Sequence, residues 1–300
     1  MAKQIEITFL GTSSAIPTKS KNHTAILLNY EPEVILFDCG EGTQRQFKIA
    51  NLNPLKITRI FLTHWHADHT LGLPGLLKTM ALNNYQNKLR IYGPQRTKEK
   101  IELLEKVFGK FEIPIEIKEL LPKEKIEEKE FTIETSPMSH GVPTIAYSFT
   151  IKDRLRLKKD KIKKLNFPDP KLFAQLQQGK DITINGKKIK AKNYIYKEKG
   201  KKITIILDTE MNENTIALAK NSDILITDSS FIKENEKQAK EYQHLTAAQA
   251  ATIAKHAKVK KLILTHISQR YQHNEKIVLN EAKKIFKNVE LAEDFDKFVL

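Results

Sequence analysis

Four side chains able to bind a metal ion fall within six residues, His64-Trp65-His66-Ala67-Asp68-His69. Imidazole and carboxylate without thiolate favour zinc, with manganese or iron as alternatives. The preceding residues 57–63 are apolar and partly β-branched, as in a buried strand. In extended chain, His64 and His66 point the same way. Asp68 and His69 follow as the chain turns toward a helix beginning near Thr70-Leu71-Gly72-Leu73.

Further donors are expected where strands end, because loops at one edge of a sandwich converge. His140, Asp208, Asp228 and His266 each follow an apolar run. Together with the loop cluster they exceed the three or four protein ligands of a single ion, so two ions are expected. His64, His66 and His140 are assigned to one, Asp68, His69 and His266 to the other, and Asp208 to the bridge. Such a pair activates a shared water and stabilises charge growing on a phosphoryl oxygen. His244 is a histidine the metal count does not need. It stands just before a helix for which Thr246 is a plausible N-cap, and it could protonate a leaving alkoxide.

The pattern predicts strands at 5–10, 24–28, 34–37, 90–92, 131–135, 144–149, 203–207, 223–227 and 261–265. Helices are expected at 43–51, up to 82, and at 97–108, 213–220, 233–242, 246–256 and 275–286. Strands with helices between them in both halves imply a layered α/β protein. The charged stretch after residue 108 receives no element.

Three hundred residues, 40% hydrophobic and 29% charged, describe a folded chain with a sizeable core. No run approaches the roughly 20 apolar residues of a membrane span. The N-terminus lacks a signal-peptide pattern. The one cysteine, Cys39, excludes an intrachain disulfide and fits a reducing compartment, so the cytoplasm is expected.

The charge is concentrated. Residues 152–202 hold 18 Lys/Arg against five acids, a net +13 of the chain's +15. That marks a localised basic arm for a polyanion, nucleic acid first. Phe167-Pro168-Asp169-Pro170 and Gln177-Gln178-Gly179 read as breaks in a protruding element. Leu155, Leu157, Ile162 and Leu165 give it only a thin apolar stripe, an arm on one domain (1–300) and not a second domain.

The run His64 to His69 matches His-x-His-x-Asp-His, the signature of the metallo-β-lactamase superfamily. Within it the chain resembles the short form of the ribonuclease Z family, the tRNA 3′-end endonucleases. The likeness is carried by Leu10-Gly11-Thr12-Ser13-Ser14-Ala15-Ile16-Pro17-Thr18, Phe37-Asp38-Cys39-Gly40-Glu41-Gly42-Thr43-Gln44, Gly72-Leu73-Pro74-Gly75-Leu76-Leu77 and Leu264-Thr265-His266-Ile267-Ser268-Gln269-Arg270-Tyr271.

This resemblance implies a four-layer αββα sandwich, two zinc ions and a homodimer. It also implies cleavage of precursor tRNA after the discriminator nucleotide, leaving a 3′-hydroxyl on the tRNA. Asp68 matches the family's general base and zinc ligand, and His244 the His of its His-Ser-Thr motif, which acts on the leaving group. Residues 152–195 match the arm that holds tRNA, with Arg154, Arg156, Lys158, Lys159, Lys163 and Lys164 expected to meet phosphates. Three departures stand out: Lys21-Asn22 for Arg-Asn, Glu210-Met211 for Arg-Pro, and Thr227-Asp228-Ser229-Ser230 for His-Glu-Ala-Thr. Asp228 keeps an acid able to orient His244, and Asp38 is expected to brace the glycine-rich turn. The rival readings are a small-molecule hydrolase of the same superfamily (cyclic nucleotide, sulfate ester or lactam) and an RNA-binding protein whose metal site is vestigial or structural.

Overall fold

The computed structural model describes residues 4–163, 165 and 167–300. It divides into a large unit, residues 1–126, 133–149 and 202–300, and a small one, 127–132 and 150–201.

The large unit is built on two seven-stranded sheets. In the first the order is Lys297–Val299, Glu6–Gly11, Ala25–Tyr30, Glu33–Phe37, Arg59–Phe61, Leu89–Gly93 and Ile115–Glu119. Pairing is antiparallel as far as Glu33–Phe37 and parallel beyond it. In the second the order is Val289–Leu291, Lys261–Thr265, Ile224–Asp228, Lys202–Ile206, Thr144–Ile151, Phe131–Met138 and Lys125–Glu127. Its first four strands are parallel.

The sheets meet face to face through aromatic rings. Tyr147 packs 5.1 Å from Phe61 and 5.7 Å from Phe37, and its hydroxyl donates to the Leu62 carbonyl at 2.5 Å. Strands buried on both faces read as continuous apolar runs, which explains Val34-Ile35-Leu36-Phe37 and Leu262-Ile263-Leu264. Helices Thr43–Ile49, Leu73–Leu82 and Thr97–Phe108 cover the outer face of the first sheet with Phe47, Leu73, Leu76, Leu77 and Ile101. Helices Glu213–Ala219, Ala247–His256 and Lys276–Ile285 cover the second with Leu218, Ala250, Ala254 and Val278. The result is an αββα sandwich, a mixed α/β fold as the sequence predicts.

The sequence pattern misses elements where apolar content is low. Strands Ile115–Glu119 and Lys125–Glu127 lie at sheet edges in the charged stretch after residue 108, and edge strands tolerate Glu and Lys on their open side. The small unit likewise has more structure than a thin stripe. Strand Arg154–Leu157 pairs antiparallel with Ile195–Glu198, and a hairpin between them pairs Ile182–Ile184 with Lys187–Ile189. The hairpin turns at Asn185-Gly186, both left-handed at φ 49° and 75°, as a two-residue turn requires. Asp169 caps helix Pro170–Gln177, with Pro170 at its first position, and left-handed Gly179 follows the helix end. The sequence breaks are therefore helix caps. Leu176, Ile182, Ile184, Ile189 and Ala191 form a core of their own, with Leu157, Ile162, Leu165 and Phe167 packed against it.

Among the described residues no helix is long and apolar enough to cross a membrane.

Candidate metal centre

The donors all leave the C-terminal ends of strands or the turns just past them. His64 follows strand Arg59–Phe61, and Asp68 and His69 lie on the helical turn Ala67–Thr70. Asp208 and His266 follow Lys202–Ile206 and Lys261–Thr265. Asp38, Asp208 and His266 are left-handed, with φ of 56°, 42° and 59°. For a non-glycine residue this costs on the order of 1–3 kcal/mol and persists only where the surroundings enforce it.

Two groups of donor atoms result, each within 4.8 Å: His64, His66, His140 and Asp208, and Asp68, His69, Asp208 and His266. Asp208 is common to both. Its Oδ2 lies 3.6 Å from His64 Nε2, 3.2 Å from His69 Nε2 and 3.5 Å from His140 Nε2, and its Oδ1 lies 3.2 Å from His266 Nε2. Asp68 Oδ2 stands 3.4 Å from both His69 and His266.

The chemistry of this donor set fits divalent cations. His69 Nε2 faces His266 Nε2 at 3.2 Å, and His140 Nε2 faces His66 Nδ1 at 3.1 Å. His69 Nδ1 donates to Asp38 at 2.7 Å and His140 Nδ1 to the Gln243 carbonyl at 3.0 Å. The His69 and His140 rings are thereby fixed with Nε2 toward the cluster, the arrangement in which an outer acceptor orients a metal-binding histidine. His64 Nε2 and Asp208 Oδ1 are buried without a hydrogen-bond partner, at a cost of about 1–3 kcal/mol each that a cation would remove. Burial also holds His64, His66 and His140 below the ordinary histidine pKa, and the neutral imidazole is the form that ligates. His266 is pulled down by burial but raised further by Asp208 and Asp228, to about 10.

Asp228 is occupied differently. Its Oδ2 accepts from His244 Nδ1 at 2.8 Å and from the Leu245 amide at 3.1 Å. Its Oδ1 accepts from the Ser230 amide and hydroxyl at 2.8 and 2.6 Å. Asp208, Asp228, His244 and His266 also form a group within 4.8 Å, yet four accepted bonds leave Asp228 no oxygen to spare. Thr246 caps helix Ala247–His256 in a capping box with Gln249, so His244 is delivered from a rigid loop. His66, Asp68, His140, Asp208 and His244 line one cavity of about 730 Å³.

Asp38 does not brace the glycine turn through its side chain. Its carboxylate accepts from the Thr63 amide and hydroxyl and from His69, all at 2.7 Å. An acid closing an apolar strand, 31 residues before His69, carries no local signal of that bond. Lys21 is buried, with its amine on the Ala292 carbonyl at 3.1 Å and on Glu275 at 2.9 Å. Glu210 accepts from the Ser139 hydroxyl at 2.8 Å. Of the basic residues named in 152–195, Arg154 and Arg156 both pair with Glu198, at 3.4 and 2.8 Å. Lys159 and Lys163 are exposed and Lys158 is half-buried. Lys164 lies outside the described residues.

Two facing sheets between helical layers, with a His-x-His-x-Asp-His turn at a strand end, define a metallo-β-lactamase-fold protein. A family model described as Anti-Pycsar protein Apyc1 matches residues 5–184. Ribonuclease Z of Methanothermobacter thermautotrophicus is 38% identical over 292 residues, 97% of this chain and 95% of its own length. Ribonuclease Z of Nanoarchaeum equitans is 40% identical over 270 residues, 89% and 84% of the two chains. The crystal structure of human tRNase Z, short form, superposes with a TM-score of 0.71 at 26% identity and 98% coverage of both chains. The chain belongs to the ribonuclease Z family.

Proposed function

We propose that the protein is a metal-dependent endoribonuclease that removes the 3′ trailer of precursor tRNA, leaving a 3′-hydroxyl on the tRNA. The chemistry rests on one observation, a single carboxylate, Asp208, shared by two sets of imidazole and carboxylate donors. The substrate class rests on membership of the family. His64, His66 and His140 would hold one zinc ion, Asp68, His69 and His266 a second, with Asp208 between them. When bound, such a pair lowers the pKa of a water and offsets charge on the phosphoryl oxygens.

The chain's own groups supply the rest. Asp68, at the cavity wall, accepts the proton of the attacking water and fixes its direction toward phosphorus. His244, held through Nδ1 by Asp228, turns Nε2 to the departing ribose 3′-oxygen and protonates it. Single-turnover cleavage of a defined precursor tRNA, with metal analysis of the same sample, tests the reading. One cut after the discriminator nucleotide and about two zinc ions per chain are expected, whereas absence of cleavage in the metal-loaded protein would end it.

Residues 152–195 are proposed as the tRNA-binding arm, acting on phosphates distant from the chemistry. Deleting 155–190 should weaken precursor tRNA binding and flatten its salt dependence, by roughly 0.7–0.9 in log–log slope for each phosphate no longer neutralised. Cleavage of bis(p-nitrophenyl) phosphate should persist. An equal fall for both substrates would remove the arm's role, and turnover insensitive to salt would favour a small-molecule hydrolase. A homodimer is proposed as well, covering Leu82, Val107 and Phe108, which stand exposed on helices Leu73–Leu82 and Thr97–Phe108. The buried free thiol of Cys39 suits the cytoplasm.

A further inference from the structure

Three residues beside the metal ligands have no part in that reaction. Phe231 lies three residues past Asp228, Tyr242 two before His244, and Arg270 four past His266. All three line the same cavity as Asp68 and Asp208. The rings of Phe231 and Tyr242 are nearly parallel, 7° apart with centroids at 6.3 Å. The Arg270 guanidinium lies 4.9 Å from the centre of the Phe231 ring, and its Nη1 donates to Gln238 at 2.6 Å. Phe231 is also 6.0 Å from the His244 ring. Phe231 is buried, as a core residue would be, but Tyr242 keeps 56% of its surface exposed. A large ring left open at the wall of a polar cavity is not filling a core.

Aromatic faces and guanidinium planes are the two side-chain surfaces on which unpaired bases stack. Taking the function proposed above as given, we infer that Tyr242, backed by Phe231 and Arg270, stacks the base of the last nucleotide retained by the tRNA. The direction follows from His244. It serves the departing 3′-oxygen, which belongs to that nucleotide; Tyr242 arrives on the same loop as His244, and Phe231 lies 6.0 Å from the His244 ring. Stacking reads a π-face and not base edges, so any base is accepted, with purines held best because they overlap more.

The test uses the metal-loaded protein and a tRNA ending, with a 3′-hydroxyl, at 2-aminopurine in this position, so that no bond can be cut. Binding should quench the 2-aminopurine fluorescence in the wild type and in Tyr242→Phe, and leave it largely unquenched in Tyr242→Ala. In a parallel measurement, a precursor abasic at this nucleotide should lose about tenfold to a hundredfold in kcat/KM with the wild type, the size of one base–aromatic stack. Tyr242→Ala should lose a similar factor on the normal precursor and little more on the abasic one. Unchanged quenching in Tyr242→Ala, or two losses that multiply in full, would overturn the platform. If the wild type cut no precursor at all, the functional reading would fail and the quenching would still decide the stack.

Discussion

His244→Ala should lower kcat on a precursor tRNA by about 10²–10⁴-fold, the usual worth of a positioned acid, while hydrolysis of a p-nitrophenyl phosphodiester should fall far less. The contrast arises because a ribose 3′-oxygen leaves as a strong base and needs a proton, whereas p-nitrophenolate departs without one. The pH profile carries the same signature. Burial, the strongest single influence on His244, lowers its pKa, but Asp228 and Asp208 together outweigh it and hold the pKa above the ordinary value. The acid form is therefore present below that raised pKa, and kcat on tRNA should fall as pH rises through it. Asp228→Asn removes the charge that raises it most, so this falling limb should move to lower pH. An alkaline limb that stays in place in Asp228→Asn would show that the proton comes from elsewhere.

Asp208→Asn removes one charge from a carboxylate in reach of four imidazoles, and binding at both proposed ion positions should be affected together. Expected are less than one tightly held zinc per chain by atomic emission and activity at background on every phosphodiester. Asp38→Asn gives a graded version. Asp38 is not part of the cavity lining, yet it accepts the His69 Nδ1 proton and the Thr63 hydroxyl, and losing such an outer acceptor costs about 10–100-fold in metal affinity. Excess zinc should then restore most of the turnover. Loss of a single ion in Asp208→Asn, with the other retained at wild-type affinity, would contradict a shared carboxylate.

The helices and central strands are legible because their burial imposes a pattern. Residues 97–108 read as a helix and form one, and 34–37 form a strand. The strand-end rule locates His140, Asp208, Asp228 and His266, and the fold brings His140, Asp208 and His266 together with the histidine-rich turn and sets Asp228 beside His244 and His266. What escapes is long-range pairing. Neither the bond from Asp38 to His69 nor the Glu198 carboxylate that engages Arg154 and Arg156 has any periodicity to announce it. The small core of residues 157–195 escapes for a related reason. Its apolar members are scattered along the segment, and only the pairing of Arg154–Leu157 with Ile195–Glu198, the 182–189 hairpin and helix Pro170–Gln177 bring them together.

The left-handed residues Asp38, Asp208 and His266 have a practical bearing on how such a centre changes over time. Asp38 and His266 directly follow the last residue of their strands and Asp208 follows one residue later, so the position of each is tied to a sheet. Gln269 and Gln272, which line the cavity further along the chain, can therefore be exchanged to suit a new ligand without altering the donor set. The three anchors must keep both that backbone conformation and the contacts of their side chains, which makes these positions far less free to drift than the loops they support.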